Sequence, residues 1–313
     1  MLSPIPPGGD GLVLALDIGG TDIKAALQDA SGTFHGLRRL PTPHDPHHPG
    51  DIIVDKVAGL VRGYTAQAGD VPLRSIGLIV PGLVDEDAGV GILSANLGWR
   101  NYPFSRMVQE ATGLPVAFGH DVGLAGEAEM RLGAGRGLRD VLVIIIGTGI
   151  AGALFCDGRR VHGGGFAGEI GHAPIPGGIP CACGAAGCLE TLASAGAIAR
   201  RYTELTGNPV PGAAEVLAAA GTGDPTARRV WSEAIEALAV VLSQMVAVLG
   251  SEAVILGGGL SQAGSALLDP LGALMDSALS FHRRPQLLRA VLGQDAGLMG
   301  AALRARDLLA GPA

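Results

Sequence analysis

One short pattern occurs twice in this chain, and its recurrence limits the fold more than any other feature. Leu16-Asp17-Ile18-Gly19-Gly20-Thr21 ends an apolar run, continues as a second strand-like segment, and turns again at Asp29 and Gly32. Ile145-Ile146-Gly147-Thr148-Gly149 does the same and closes at Asp157-Gly158. Each copy reads as strand, Gly/Thr turn, strand, acidic–Gly turn. Two copies imply two similar α/β halves, each presenting a glycine-lined hairpin turn to a shared cleft. The expected break lies near Ala117 to Gly119. Residues 11–118, with about 297–313 returning, would form a small domain, and 119–296 a larger one.

Other elements follow from periodicity. The chain opens as a meander: strands over Leu12 to Leu16, Ile23 to Gln28 and Phe34 to Leu40. Asp51 to Gln67 is helical, because Ile53, Val57, Leu60, Val61 and Tyr64 keep its period. A strand over Ser75 to Val80, a helix over Tyr102 to Thr112, a short strand over Pro115 to Phe118 and a helix over Leu124 to Leu132 follow. Trp231, Ile235, Leu238, Leu242, Met245 and Leu249 mark a long helix with a buried face. Val254 to Leu256 is a strand, and Gly297 to Leu309 a final helix.

Composition narrows the function. Hydrophobic residues make up 48% and charged residues 16%, which favours a large core over disorder. The net charge of −7 and the absence of a basic block argue against a nucleic-acid surface. Met1 to Asp10 lacks a signal peptide's basic start. Two long uncharged stretches, Val141 to Cys156 and Ala253 to Leu268, are broken by glycines and fall short of a span of roughly 20 apolar residues. A soluble, cytoplasmic protein without a membrane partner is expected.

Several residues have the chemistry of a site. The two Gly/Thr turns, Gly19-Gly20-Thr21 and Gly147-Thr148-Gly149, suit phosphate oxygens, because glycine lets backbone N–H groups come close; ordinary hairpin turns are the alternative. Asp17 could hold Mg²⁺ through water. Gly257-Gly258-Gly259 could let a base or ribose lie against backbone, or simply turn the chain. Asp121 stands between a strand and a helix, where a carboxylate is either a helix cap or a general base. His172, Cys181, Cys183 and Cys188 match a closed tetrahedral structural zinc site, with three buried thiols as the alternative; Cys156, after an apolar strand, reads as a core residue. Glu169 and Glu190 bracket the metal segment and, unless merely solvated, suit a polyhydroxyl ligand. Asn96 could touch a sugar; Trp99 could touch it or be core.

Asp17-Ile18-Gly19-Gly20-Thr21, Ile146-Gly147-Thr148-Gly149, Glu169-x-x-His172 and Cys181-x-Cys183-Gly184-x-x-Gly187-Cys188-x-Glu190 together resemble the ROK family of sugar kinases and sugar-sensing repressors, from about Leu12 to Leu309. The resemblance implies an actin-like, ribonuclease-H-type pair of α/β domains flanking a cleft, with a zinc-binding loop. It implies ATP-dependent phosphorylation of a hexose, glucose first, with Mg²⁺. Phosphates would lie between the two turns and adenosine near Gly257 to Gly259. Asn96, His120, Asp121, Glu169, His172 and Glu190 would bind the sugar, and Asp121 would take its proton. His172 would use one ring nitrogen on zinc and turn the other toward the sugar. Relatives are commonly homodimers or homotetramers.

Two departures stand out. The family usually has Asn where this chain has His120, and often a second Asn where it has Gly123. Imidazole places its donor and acceptor differently from an amide, so the sugar is open among glucose, N-acetylmannosamine, N-acetylglucosamine, fructose and allose. Polyphosphate is an alternative donor. Asp22, where many relatives carry Lys or Asn, should point away from phosphate if Thr21 points toward it. A repressor is disfavoured, because the first strand begins at Leu12 and leaves no room for a DNA-binding segment before it. A sugar sensor without turnover is the remaining alternative.

Overall fold

The computed structural model describes residues 11–176 and 179–310. Met1 to Asp10, read above for the lack of a leader-like start, lies outside them. The chain opens with the expected meander: β1 (Leu12–Ile18), β2 (Asp22–Gln28) and β3 (Phe34–Pro41), paired antiparallel. Helix α1 (Pro49–Ala68) precedes β4 (Leu73–Val80). Three short strands follow, β5 (Leu83–Asp85), β6 (Val90–Leu93) and β7 (Arg100–Tyr102), then α2 (Phe104–Thr112), β8 (Val116–His120) and α3 (Asp121–Leu132). The second copy of the pattern is β9 (Val141–Ile146), β10 (Ile150–Cys156) and β11 (Arg159–Arg160). Helices α4 (Glu190–Ala193), α5 (Ala195–Thr206), α6 (Ala213–Gly221) and α7 (Pro225–Leu249) lead to β12 (Ala253–Gly257), α8 (Ser265–Ala278), β13 (Gln286–Arg289) and α9 (Ala296–Ala310).

The repeat has a physical counterpart in the sheets. One runs β3-β2-β1-β4-β8 and the other β11-β10-β9-β12-β13. In each, a three-stranded meander is extended on one side by two parallel strands. β1 shows why such a strand reads as one apolar run. Leu12, Leu14, Leu16 and Ile18 join one core with Ile53, Val57 and Tyr64 of α1. Val13 and Ala15 face the opposite way, against Leu298, Ala301, Ala302 and Ala305 of α9. A strand covered on both faces loses its polar alternation.

The described residues divide into two compact units: 11–132, 162–166 and 294–310 in the first, 133–161 and 167–293 in the second. The division expected near Ala117 to Gly119 instead falls after Leu132. The reason is pairing: β8 adds to β4, from Ile76↔Val116 to Val80↔His120, and α3 packs on α9. Residues 119–132 therefore belong with the first unit.

Other differences are local. The helix expected from Tyr102 begins at Phe104, because Pro103 precedes it and Tyr102 pairs with Gly91. The helix expected from Leu124 begins at Asp121, directly after β8. Cys156, expected in the core, is half-buried where β10 turns into β11. Helix α7 is long and apolar enough to cross a membrane. Its Val230, Trp231, Ala234, Leu238 and Leu242 are buried in the second unit's core, as in the core helix of a globular domain.

Candidate active site

In the first unit, β1 carries Asp17 to the edge of the first Gly/Thr turn. Gly19 N–H donates to Asp22 O at 2.8 Å and closes that turn. Thr42 ties it down: its N–H donates to Thr21 O at 2.8 Å and its hydroxyl to Gly19 O at 2.7 Å. Thr21 at the tip is exposed. Asp17 lies 3.6 Å from Lys24 Nζ, across the β1–β2 pair. Burial raises the Asp17 carboxyl from 3.8 to about 6, Lys24 opposes the rise, and the Asp121 and Asp295 charges add to it. A buried carboxylate is a fitting oxygen donor for Mg²⁺.

Asp121 sits at the carboxyl end of β8 and opens α3. Its Oδ1 accepts from Val122 N–H at 2.7 Å and lies 3.1 Å from His120 Nε2. Asn96 is exposed between β6 and β7. Trp99 is buried and meets Phe104 edge-on at 4.9 Å, and Phe104 stacks on Phe118. Trp99 is thus a core residue rather than a surface for a sugar ring.

In the second unit, Gly147 N–H donates to Gly149 O at 2.9 Å, and Ala195 N–H ties down Gly147 O at 2.9 Å. Thr148 and Gly149 are exposed. Gly258, after β12, has φ +78, and a Cβ there would sit 2.4 Å from Ile146 O, so only glycine fits. Beside it, Gly259, Leu260, Gln262 and Ala263 line a cavity of about 330 Å³ with Ala195, Ala213, Leu217 and Trp231. Its mostly apolar lining suits a flat ring system.

The metal segment is a two-stranded loop. Ile175 N–H donates to Gly187 O at 2.7 Å, Gly187 N–H to Ile179 O at 2.8 Å, and Cys181 N–H to Ala185 O at 2.8 Å. These bonds gather one ligand atom each from His172, Cys181, Cys183 and Cys188, all within 4.8 Å of one another. Cys183 and Cys188 Sγ are 3.6 Å apart, and Cys181 Sγ is 3.8 Å from His172 Nδ1. Sulfur ligands at about 2.3 Å in a tetrahedron stand roughly 3.8 Å apart, so the group fits zinc. His172 turns Nε2 toward Glu169 Oε2, 3.9 Å away. Glu190 reaches the second turn, where Ile150 N–H donates to its Oε2 at 3.4 Å.

The ROK family profile matches residues 13–307. The chain belongs to the ROK family. This ROK protein is 34% identical to a glucokinase of Halalkalibacterium halodurans over 310 residues, 92% of each chain. It is 32% identical to an N-acetylmannosamine kinase of Salmonella heidelberg, over 94% of this chain and 98% of the relative. Among solved structures it resembles a ROK family glucokinase from Streptomyces griseus in complex with glucose and AMPPNP, with a TM-score of 0.77, 31% identity, and coverage of 95% and 100%. The fold is accordingly the actin-like ATPase fold.

Sequence reasoning missed the groups that stand behind the candidate site residues. Lys24 beside Asp17 is one; Glu86 and Arg304 behind His120 are others. Lys24 was within reach, because two strands joined by a short turn place Asp17 opposite it. No spacing in the sequence links Glu86 to Arg304.

Proposed function

We propose that this ROK protein transfers the γ-phosphoryl group of ATP to a hydroxyl of a hexose, with glucose the first candidate. The observation that carries the reading is Asp121: a carboxylate at the end of a parallel strand, oriented by two donors to one oxygen, in a chain of this family. In the proposed step the hydroxyl proton passes to Asp121 as the sugar oxygen bonds to phosphorus. The bond from phosphorus to the bridging oxygen breaks, and its electron pair leaves with ADP. Catalysis is then mainly positioning and electrostatics. The turns at Gly19 to Thr21 and Gly147 to Gly149 offer backbone donors to the phosphates. The cavity beside Gly257 to Gly259 takes the adenosine.

Asn96, Glu169, His172 and Glu190 are the proposed contacts to sugar hydroxyls, and His120 lies beside Asp121. Asp17 is the residue that would hold Mg²⁺, which neutralises phosphate charge when bound. Zinc on His172, Cys181, Cys183 and Cys188 would stiffen the segment carrying Glu169 and Glu190. N-acetylmannosamine is the second candidate, because the chain also resembles kinases of that sugar.

The test is ADP release with Mg-ATP across hexoses and N-acetylhexosamines, with Asp121→Asn alongside. One sugar should turn over, and the variant should lose about 10²–10⁴-fold in rate, the usual worth of a general base. Near-wild-type turnover in the variant would remove Asp121 from the reaction.

A further inference from the structure

Within the first unit, β8 runs into α3 without an intervening loop, so His120 stands at the helix cap and Asp121 at its first position. Gly123 N–H donates to His120 Nδ1 at 3.3 Å. A ring nitrogen that accepts carries no hydrogen, so a singly protonated ring carries it on Nε2. That nitrogen faces Asp121 Oδ1 at 3.1 Å, and Val122 N–H donates to the same oxygen at 2.7 Å. Both donors thus converge on Oδ1, and among the described residues none reaches Oδ2. The His120 main chain is fixed from behind. Glu86, whose side chain is only 6% exposed, accepts His120 N–H on Oε1 at 3.0 Å, and Arg304 holds its Oε2 at 2.8 Å.

We infer that His120 is a positioning residue for Asp121: it caps α3 through Nδ1, donates through Nε2 to Oδ1, and leaves Oδ2 to take the proton of the acceptor hydroxyl. The inference rests on the general-base reading of Asp121. It also accounts for imidazole at a position where the family resemblance implies Asn. An amide has one carbonyl acceptor and an NH₂ donor, and this tautomer of the ring keeps one of each. The helix cap survives because Nδ1 lies as near the backbone as an amide oxygen would.

Two measurements test it. First, kcat and sugar KM are separated for His120→Ala and His120→Asn, using the sugar that the wild type phosphorylates. Alanine should lower kcat about 30- to 100-fold with KM within about threefold, and asparagine should recover at least about tenfold of that loss. A rise in KM at unchanged kcat, or an asparagine variant no better than alanine, would overturn the inference. Second, ¹⁵N NMR of histidine-labelled wild-type protein reads the tautomer without turnover. The hydrogen should be on His120 Nε2, and Asp121→Asn should shift that nitrogen's resonance. A hydrogen on Nδ1 would overturn the inference even in an active kinase. Absence of wild-type turnover on every sugar would instead remove the general-base reading beneath it.

Discussion

The two Gly/Thr turns are built alike and charged differently. Each follows the first strand of a meander, and each has the carbonyl of its first glycine tied down from elsewhere, by Thr42 in one and Ala195 in the other. The first turn carries its own acid: Asp17 lies one residue before the end of β1, opposite Lys24. The corresponding place in β9 is Ile145, opposite Ala151. The second turn instead receives a carboxylate from outside its hairpin, through the bond from Ile150 N–H to Glu190. One backbone device has thus been kept twice, while the charge was placed once in the strand and once at the end of the metal segment. On the proposed reading, Asp17 would hold Mg²⁺ beside the first turn and Glu190 would bring a sugar contact beside the second.

Removing the metal should break this comparison most strongly. Cys188 is buried, and without a cation burial pushes its thiol up to about 12, so the empty group has no ready thiolate there. Chelation, or Cys188→Ser, should loosen the segment from Pro174 to Glu190 and weaken sugar binding about 10- to 100-fold. Hydrogen exchange should show lost protection at Ile150 and none at Gly19. Equal loss at both turns would mean that Glu190 does not single out the second.

The difference between the turns also marks how far the sequence was legible. The repeat, the meanders and the grouping of His172, Cys181, Cys183 and Cys188 could be read because each is local: a strand, a turn, a cluster of cysteines with a nearby histidine. β5, β6 and β7 were not, since strands of three or four residues are too short to display a period. The unit boundary was misplaced because β8 looks like the start of something new, and only its pairing with β4 shows otherwise. Glu86 and Arg304 meet across 218 positions, and an ion pair of that separation leaves no trace in spacing. Asp121 was read as either cap or base. In the structure the two residues share the start of α3: Val122 N–H donates to Asp121 Oδ1 and Gly123 N–H to His120 Nδ1.

Asp17→Asn sharpens the comparison, because its effects on rate and stability should have opposite signs. Turnover should fall about 10²–10³-fold as the proposed Mg²⁺ contact loses its charge. The metal-free fold should gain stability near neutral pH. The Asp17 carboxyl is at about 6 in the folded chain against an ordinary 3.8. The folded state therefore holds the extra proton between those values, and stability declines as pH rises through them. Its contribution is fully present below 3.8, is lost above about 6, and is on the order of 3 kcal/mol. Denaturant unfolding from pH 3 to 8 should show that decline in the wild type and a flatter curve in Asp17→Asn. Parallel curves would assign the acid's burial no energetic role.

The smallest effect is expected from the first glycine of each turn, and it separates packing from ligand contact. A Cβ on Gly19 would lie 2.8 Å from Asp22 O, a backbone atom of the turn itself, whereas a Cβ on Gly147 would meet nothing within 4 Å. Gly19→Ala should therefore cost about 1–3 kcal/mol of stability, as overpacking does, and lower Tm. Gly147→Ala should leave stability within about 0.5 kcal/mol. If phosphate oxygens lie against the second turn, the same methyl group occupies their approach and raises the KM for Mg-ATP several-fold in a protein that melts like the wild type. An unchanged KM would take the second turn out of the nucleotide site and leave the phosphates to the turn that carries Asp17.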